Sequence, residues 1–260
     1  MSQKKPWIIL YENTNQIITA AIDKIVVELF NKKRQSDIAQ SIVLTGCSSL
    51  AGTTSTCIGL SIAMANTKRK TLLIDCDFRK IVKYKKLNEN VTVGLSDYLS
   101  QDSVKGTAEI EDILYETNIE NLSYIPCGMS TDNATRLLCS TNMNTLLENV
   151  KKEYDCVIFD LPSISIVPDA EILFQNVDGI VLLSTLGETR KKQIKEAKLK
   201  IAPYMEKYYG MIVNKIPLDM YRRNLRDYDY YFVNPEGEQK LNGSPAHKKY
   251  LEHAESGKEK

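Results

Sequence analysis

Six short runs of apolar and β-branched residues punctuate the chain, and each is nearly continuous rather than alternating: Ser41-Ile42-Val43-Leu44-Thr45, Thr71-Leu72-Leu73-Ile74-Asp75, Leu122-Ser123-Tyr124-Ile125-Pro126, Cys156-Val157-Ile158-Phe159-Asp160, Gly179-Ile180-Val181-Leu182-Leu183-Ser184 and Gly210-Met211-Ile212-Val213-Asn214. A strand with one face in water alternates apolar and polar side chains. A strand that reads apolar throughout is buried on both faces, as in a parallel sheet covered by helices. Helical spacing fills the gaps, over Ser55 to Asn66, Asn133 to Lys151 and Thr189 to Lys207, and precedes the first run over Thr19 to Phe30. Strand, helix, strand in succession demands right-handed crossovers. The predicted fold is therefore α/β, a doubly wound, mainly parallel sheet in a single domain. It divides into an N-terminal segment with a helix (1–40), the sheet domain (41–216) and a tyrosine-rich, largely flexible tail (217–260).

The size and composition agree with one well-filled core: 260 residues, 43% hydrophobic. The net charge of +1 gives no global pull toward nucleic acid, and no nucleic-acid partner is expected. The apolar run near the N-terminus, Trp7 to Leu10, is too short for a signal-peptide core, and no stretch approaches the roughly 18 apolar residues of a membrane helix. A cytoplasmic protein is expected. None of the six cysteines forms a CxxC pair, so they read as reduced apolar fillers rather than zinc ligands.

The turn after the first run is Thr45-Gly46-Cys47-Ser48-Ser49-Leu50-Ala51-Gly52-Thr53-Thr54-Ser55-Thr56. A strand feeding a loop of small residues and then a helix presents backbone N–H groups and a helix N-terminus to an anion. The usual phosphate loop closes on Gly-Lys-Ser/Thr. Here Gly52 fits the last glycine, Thr54 the hydroxyl that reaches Mg²⁺, and Thr53 stands where the lysine would be; Ser55 follows in the same first turn. On its own such a turn is equally well an ordinary strand-to-helix connection.

Three carboxylates strengthen the case. Asp75 and Asp77 close the second run two residues apart, on one face of an extended chain, and Asp160 closes the fourth. Ligands of open α/β sheets bind beyond the carboxyl ends of the strands, where all three acids and the loop converge. Acids facing a phosphate loop are consistent with a Mg²⁺ ion between them.

With these residues in place the chain resembles the bacterial tyrosine kinases (BY-kinases) that regulate capsular and exopolysaccharide assembly. Leu73-Ile74-Asp75-Cys76-Asp77-Phe78-Arg79-Lys80 is similar to their second Walker motif. Gly94-Leu95-Ser96-Asp97-Tyr98-Leu99, Ile125-Pro126-Cys127-Gly128, Asn133-Ala134-Thr135-Arg136-Leu137-Leu138, Tyr154 to Pro162, Pro168-Asp169-Ala170 and Gly210 to Lys215 follow in the family's order. A tyrosine cluster, Tyr221, Tyr228, Tyr230 and Tyr231, ends the match.

The resemblance implies a P-loop NTPase fold with ATP and Mg²⁺ as cofactors. Gly52, Thr53, Thr54, Ser55 and Asn214 would bind the nucleotide, with Thr54, Asp77 and Asp160 at the metal. Asp75 would activate an attacking tyrosine hydroxyl, and Asp75, Asp77 and Asp160 would form the catalytic set. The four tail tyrosines would be the phosphoacceptors. A membrane adaptor of the polysaccharide co-polymerase type, an active kinase paralogue and a tyrosine phosphatase are the implied partners, with recruitment to the inner face of the membrane.

Three departures set the chain apart. Thr53 cannot supply the point charge of the missing lysine. The Glu-and-Arg motif of ring assembly is absent, since no arginine precedes Arg34, which leaves the oligomeric state open. Ala134 and Arg136 stand where proline and glutamate are usual. Three readings follow: a kinase with weakened tail autophosphorylation, a non-catalytic pseudokinase regulator phosphorylated by a paralogue, or a positioning ATPase of the partitioning class.

Two features keep alternative readings. The tail tyrosines are phosphoacceptors or rings packed on the domain. The basic run Arg190, Lys191, Lys192, Lys195, Lys198 and Lys200 is a solvated helix face or a contact for anionic lipid or a phosphotyrosine tail.

Overall fold

The computed structural model describes residues 8–32, 40–79, 93–100, 109–129 and 131–224, with side chains as far as 221. Tyr228, Tyr230, Tyr231, His247 and His253 lie outside the described residues. In chain order the elements are α1 (Gln16–Lys32), β1 (Gln40–Gly46), α2 (Thr53–Asn66), β2 (Thr71–Asp75), α3 (Leu95–Leu99), α4 (Ile110–Ile113), β3 (Tyr115–Glu116), β4 (Leu122–Ile125) and α5 (Ala134–Leu138). There follow α6 (Thr141–Glu153), β5 (Cys156–Asp160), α7 (Asp169–Leu173), β6 (Gly179–Thr185), α8 (Lys191–Ile201), β7 (Tyr208–Asn214) and α9 (Leu218–Asn224).

The strands form one seven-stranded sheet in the order β3-β4-β2-β5-β1-β6-β7. Every pairing is parallel except β3 with β4. Two cores, one on each face, explain the continuous apolar runs except the last: β7 is an edge strand and only half-buried, contrary to the expectation for Gly210–Asn214. Along β1, Val43 enters one core while Ile42 and Leu44 enter the other; along β5, Val157 and Phe159 oppose Cys156 and Ile158. α1 and α2 cover the second face, while α3, α5, α6, α7 and α8 cover the first. Each fully buried Leu, Ile or Phe contributes about 1.5–3 kcal/mol. The N-terminal segment joins the second core through Ile8 and Leu10. The Ile8 N–H donates to the Glu116 carbonyl (3.0 Å), and Asn118 clasps both backbone groups of Leu10.

Two predicted helices are subdivided. The stretch 133–151 breaks at Ser140, whose hydroxyl accepts the Met143 N–H and so starts a new helix. The stretch 189–207 ends as α8 at Ile201 and tightens into a 3-10 turn over Ala202–Lys207, where Pro203 cannot donate to the preceding turn. The antiparallel edge strand β3, with two residues, is too short to leave a periodic signal.

Candidate functional site

Strand parity positions the carboxylates. Ile158 and Leu73 point to the core beneath α2, so Asp160 and Asp75, two residues further along their strands, share that face. Asp75 and Asp160 are Cα partners in the β2–β5 ladder, and both are 2% exposed. The Cys76 N–H donates to the Asp160 carbonyl (2.9 Å), which keeps the second Walker turn against β5. The Asp77 N–H donates to Asp75 Oδ1 (3.1 Å), and Asp77 is buried beside it.

β1 lies between β5 and β6, and its carboxyl end opens into the phosphate loop. Several contacts hold that loop. The Cys47 N–H donates to the Leu183 carbonyl (2.7 Å), Ser163 Oγ donates to the Gly46 carbonyl (2.8 Å), and Thr45 Oγ1 donates to the Pro162 carbonyl (2.6 Å). Ser48 shares a hydrogen bond with Thr189 (2.9 Å), so the loop is also tied to the connection between β6 and α8.

Gly52 caps α2 with φ 85°, a left-handed conformation that costs glycine nothing and strains any side chain. A Cβ there would also collide with the Asn214 amide, whose Nδ2 donates to the Ala51 carbonyl (2.9 Å). Asn214 thus reaches the loop from the end of β7. Thr53 and Thr54 are half-buried in the first turn of α2, and Ser55 is exposed. The Thr53 hydroxyl turns back toward β1, 3.3 Å from where a Cβ on Gly46 would sit.

The structure brings the loop, Asp75, Asp77, Asp160 and Asn214 to one edge of the sheet. Among the described residues no three His, Cys, Asp or Glu side chains gather tightly enough to hold a metal unaided. The hydroxyl and the carboxylates at this edge are hard oxygen donors, the kind that could hold Mg²⁺. Tyr221 lies half-buried on α9.

Two partners of this edge have roles that the sequence does not assign. Tyr124, on the same face as Asp75, donates its hydroxyl to Asp75 Oδ2 (3.4 Å). Burial raises its phenol well above the ordinary range, and the negative Asp75 and then Asp160 raise it further. The contact depends on β2 lying beside β4, which no local pattern encodes. The second partner is Asp169, at the start of α7 and 0% exposed. Arg79 reaches it with both Nε (3.0 Å) and Nη2 (3.1 Å), and Thr135 Oγ1 donates to the same carboxylate (2.9 Å). This bond to Asp169 is the main reason the guanidinium is held above its usual value. The network fastens the turn that carries Asp77 to α5 and α7. It also commits Arg79, just as Glu188 engages Lys215 (3.2 Å) and Glu171 engages Lys200 (2.9 Å).

Cys47 occupies the floor of the loop. Burial pushes its thiol up to about 11, and the Lys198 ammonium opposes that only in part. The folded value is raised, so the stabilising contribution is complete below the unfolded thiol value, near 8.5, and is lost as pH rises toward 11. At pH 8 the native protein should be alkylated by iodoacetamide at exposed Cys139 alone, while Cys47, Cys57, Cys76, Cys127 and Cys156 react only after unfolding. Peptide mapping checks this, and fast labelling of Cys47 in the native state would contradict the closed loop.

The family model for the AAA domain matches residues 41–184. The tyrosine-protein kinase CpsD of Streptococcus pneumoniae is 35% identical over 192 residues, 73% of this chain and 82% of that protein. The tyrosine-protein kinase YwqD of Bacillus subtilis is 32% identical over 192 residues, 74% of this chain and 77% of its own. The solved VpsO kinase domain superposes with a TM-score of 0.65 at 27% identity, covering 78% of this chain and 97% of that domain. Phosphate loop, paired strand-end carboxylates and these likenesses agree: the chain belongs to the bacterial tyrosine-kinase (BY-kinase) family on the P-loop NTPase fold, with threonine in place of the loop lysine.

Proposed function

We propose that the protein binds ATP with Mg²⁺ at this edge and transfers phosphate, at a rate weakened by Thr53, to the tyrosines at its own C-terminus, in the service of capsular or exopolysaccharide assembly. The observation that supports the reading best is the juxtaposition of Asp75 and Asp160 across the β2–β5 ladder, one strand from the loop. ATP bound here would supply the phosphoryl group, and its Mg²⁺ would offset the negative charge of the carboxylates and phosphates. Thr54, Asp77 and Asp160 would hold the metal, the N–H groups of Gly52, Thr53, Thr54 and Ser55 would bind the phosphates, and Asn214 would serve the base. Asp75 takes the proton of the incoming tyrosine hydroxyl. Tyr221, Tyr228, Tyr230 and Tyr231 are the acceptors. A membrane adaptor with its own transmembrane helices supplies activation, and a phosphatase resets the tail; among the described residues no helix is long and apolar enough to cross a membrane.

A second reading, the non-catalytic regulator phosphorylated by a paralogue, is favoured by the surroundings of Asp75. One of its oxygens accepts the Asp77 N–H and the other the Tyr124 hydroxyl. Both oxygens are thus engaged within the protein where an incoming tyrosine hydroxyl would have to meet them. Incubation with ATP-Mg²⁺, alone and with the cytosolic segment of the adaptor, followed by phosphotyrosine mapping, separates the two. The first reading expects tail phosphotyrosine that disappears in Asp75→Asn. Absence of signal in both samples, with a phosphorylated tail in cells, establishes the regulator instead.

A further inference from the structure

The exposed face of α8 carries a charge pattern that the nucleotide site does not use. Its inner side is closed by Ala197 and Ile201, both buried in the first core. At 100° per residue, Lys191, Lys195 and Lys198 fall within about 60° of one another on the outer side and span about 10 Å of helix axis. All three are exposed, and among the described residues none of them forms an ion pair. Three neighbouring acids are engaged, Glu196 with Lys192, Glu171 with Lys200 and Glu188 with Lys215, whereas Glu206 beside Met205 is exposed and forms no ion pair among the described residues. Beside the lysine strip stands Leu199, 63% exposed, and Met205 projects from the turn that follows, 56% exposed.

We propose that this face docks on an anionic phospholipid surface. The lysines would lie over the headgroups, with Leu199 and Met205 entering the interfacial layer. Charge complementarity selects the occupant. Phosphotyrosine recognition favours a planar, bidentate arginine in a defined pocket. Here the cations are lysines on a convex helix, spaced to meet several headgroups, and flanked by exposed apolar side chains. Arg190 at the N-cap extends the positive field along the same helix. Lys198 also acts on the Cys47 thiol at the floor of the phosphate loop, so the surface borders the nucleotide site at that end of the helix.

The test is flotation of the full chain with vesicles. Phosphatidylcholine vesicles should leave it in solution, and a roughly 3:1 mixture of phosphatidylcholine and phosphatidylglycerol should carry it upward. Raising salt to about 0.5 M should release it. K191E/K195E/K198E should lower the partition coefficient at least about 100-fold with an unchanged circular dichroism spectrum. Leu199→Ser should lower it several-fold while leaving the salt dependence. Equal recovery with both vesicle types, or wild-type binding by the triple variant, overturns the proposal. So does capture by phosphotyrosine peptide beads, sensitive to the same three lysines, without binding to anionic vesicles.

Discussion

Thr53→Lys is expected to raise phosphoryl transfer to tyrosine by about 10²–10³-fold, because one preorganised cationic donor at the developing charge is worth roughly 3–4 kcal/mol. The surrounding edge supports so large a gain. The loop is closed by backbone bonds that do not involve residue 53, and Gly52 already supplies the left-handed turn that presents the next residue to an anion. The Thr53 hydroxyl faces the end of β1, but the position is half-buried, and a long flexible stem can leave by the open side. Among the described residues, three nearby cations are committed, Arg79 to Asp169, Lys215 to Glu188 and Lys200 to Glu171, while Lys198 acts on the loop only through the buried Cys47 thiol. Nucleotide affinity measured by calorimetry should rise in parallel. A Thr53→Lys protein that keeps its melting temperature yet shows neither change would mean that something other than the missing lysine limits the site, and the Asp75–Tyr124 contact would be the first place to look.

Asp169→Ala should cost about 3 kcal/mol of folding stability. The carboxylate is fully buried and accepts from Arg79 twice and from Thr135 once, so its removal strands a guanidinium and a hydroxyl. Breaking a buried pair costs about 3–5 kcal/mol, and the low end applies because the Arg79 side chain keeps 35% exposure and can turn to water. Urea denaturation checks the figure, and the melting temperature should fall by about 6–12 °C. The double variant Arg79→Met/Asp169→Leu should recover most of the loss if the penalty is the stranded charge. A double variant as unstable as Asp169→Ala would show instead that the pair itself holds α7 to the turn after Asp77. Thr135→Val removes one neutral donor, and about 1 kcal/mol is the expected loss.

Much of the architecture was legible in the chain because burial on both faces writes itself into composition. β1, β2, β5 and β6 read as unbroken apolar runs, and each proves to feed two opposed cores. The phosphate loop was legible for a similar reason: its small residues and terminal glycine answer a local backbone demand. The division of 133–151 into two helices was less visible. Ser140 resembles any other polar residue until its hydroxyl is seen to accept the Met143 N–H. Asp169 could be placed in a motif, but its role could not be assigned, because Arg79 lies 90 positions away in sequence.

The sequence by itself determined the parallel α/β fold, the missing lysine and the strand-end positions of Asp75, Asp77 and Asp160, since periodicity and turn chemistry depend on neighbours in the chain. Tertiary structure alone decided that Asp75 faces Asp160, that Tyr124 occupies one of its oxygens and that Arg79 is spent on Asp169. Those contacts depend on strand order, which places residues far apart in sequence within hydrogen-bonding reach and leaves no local trace.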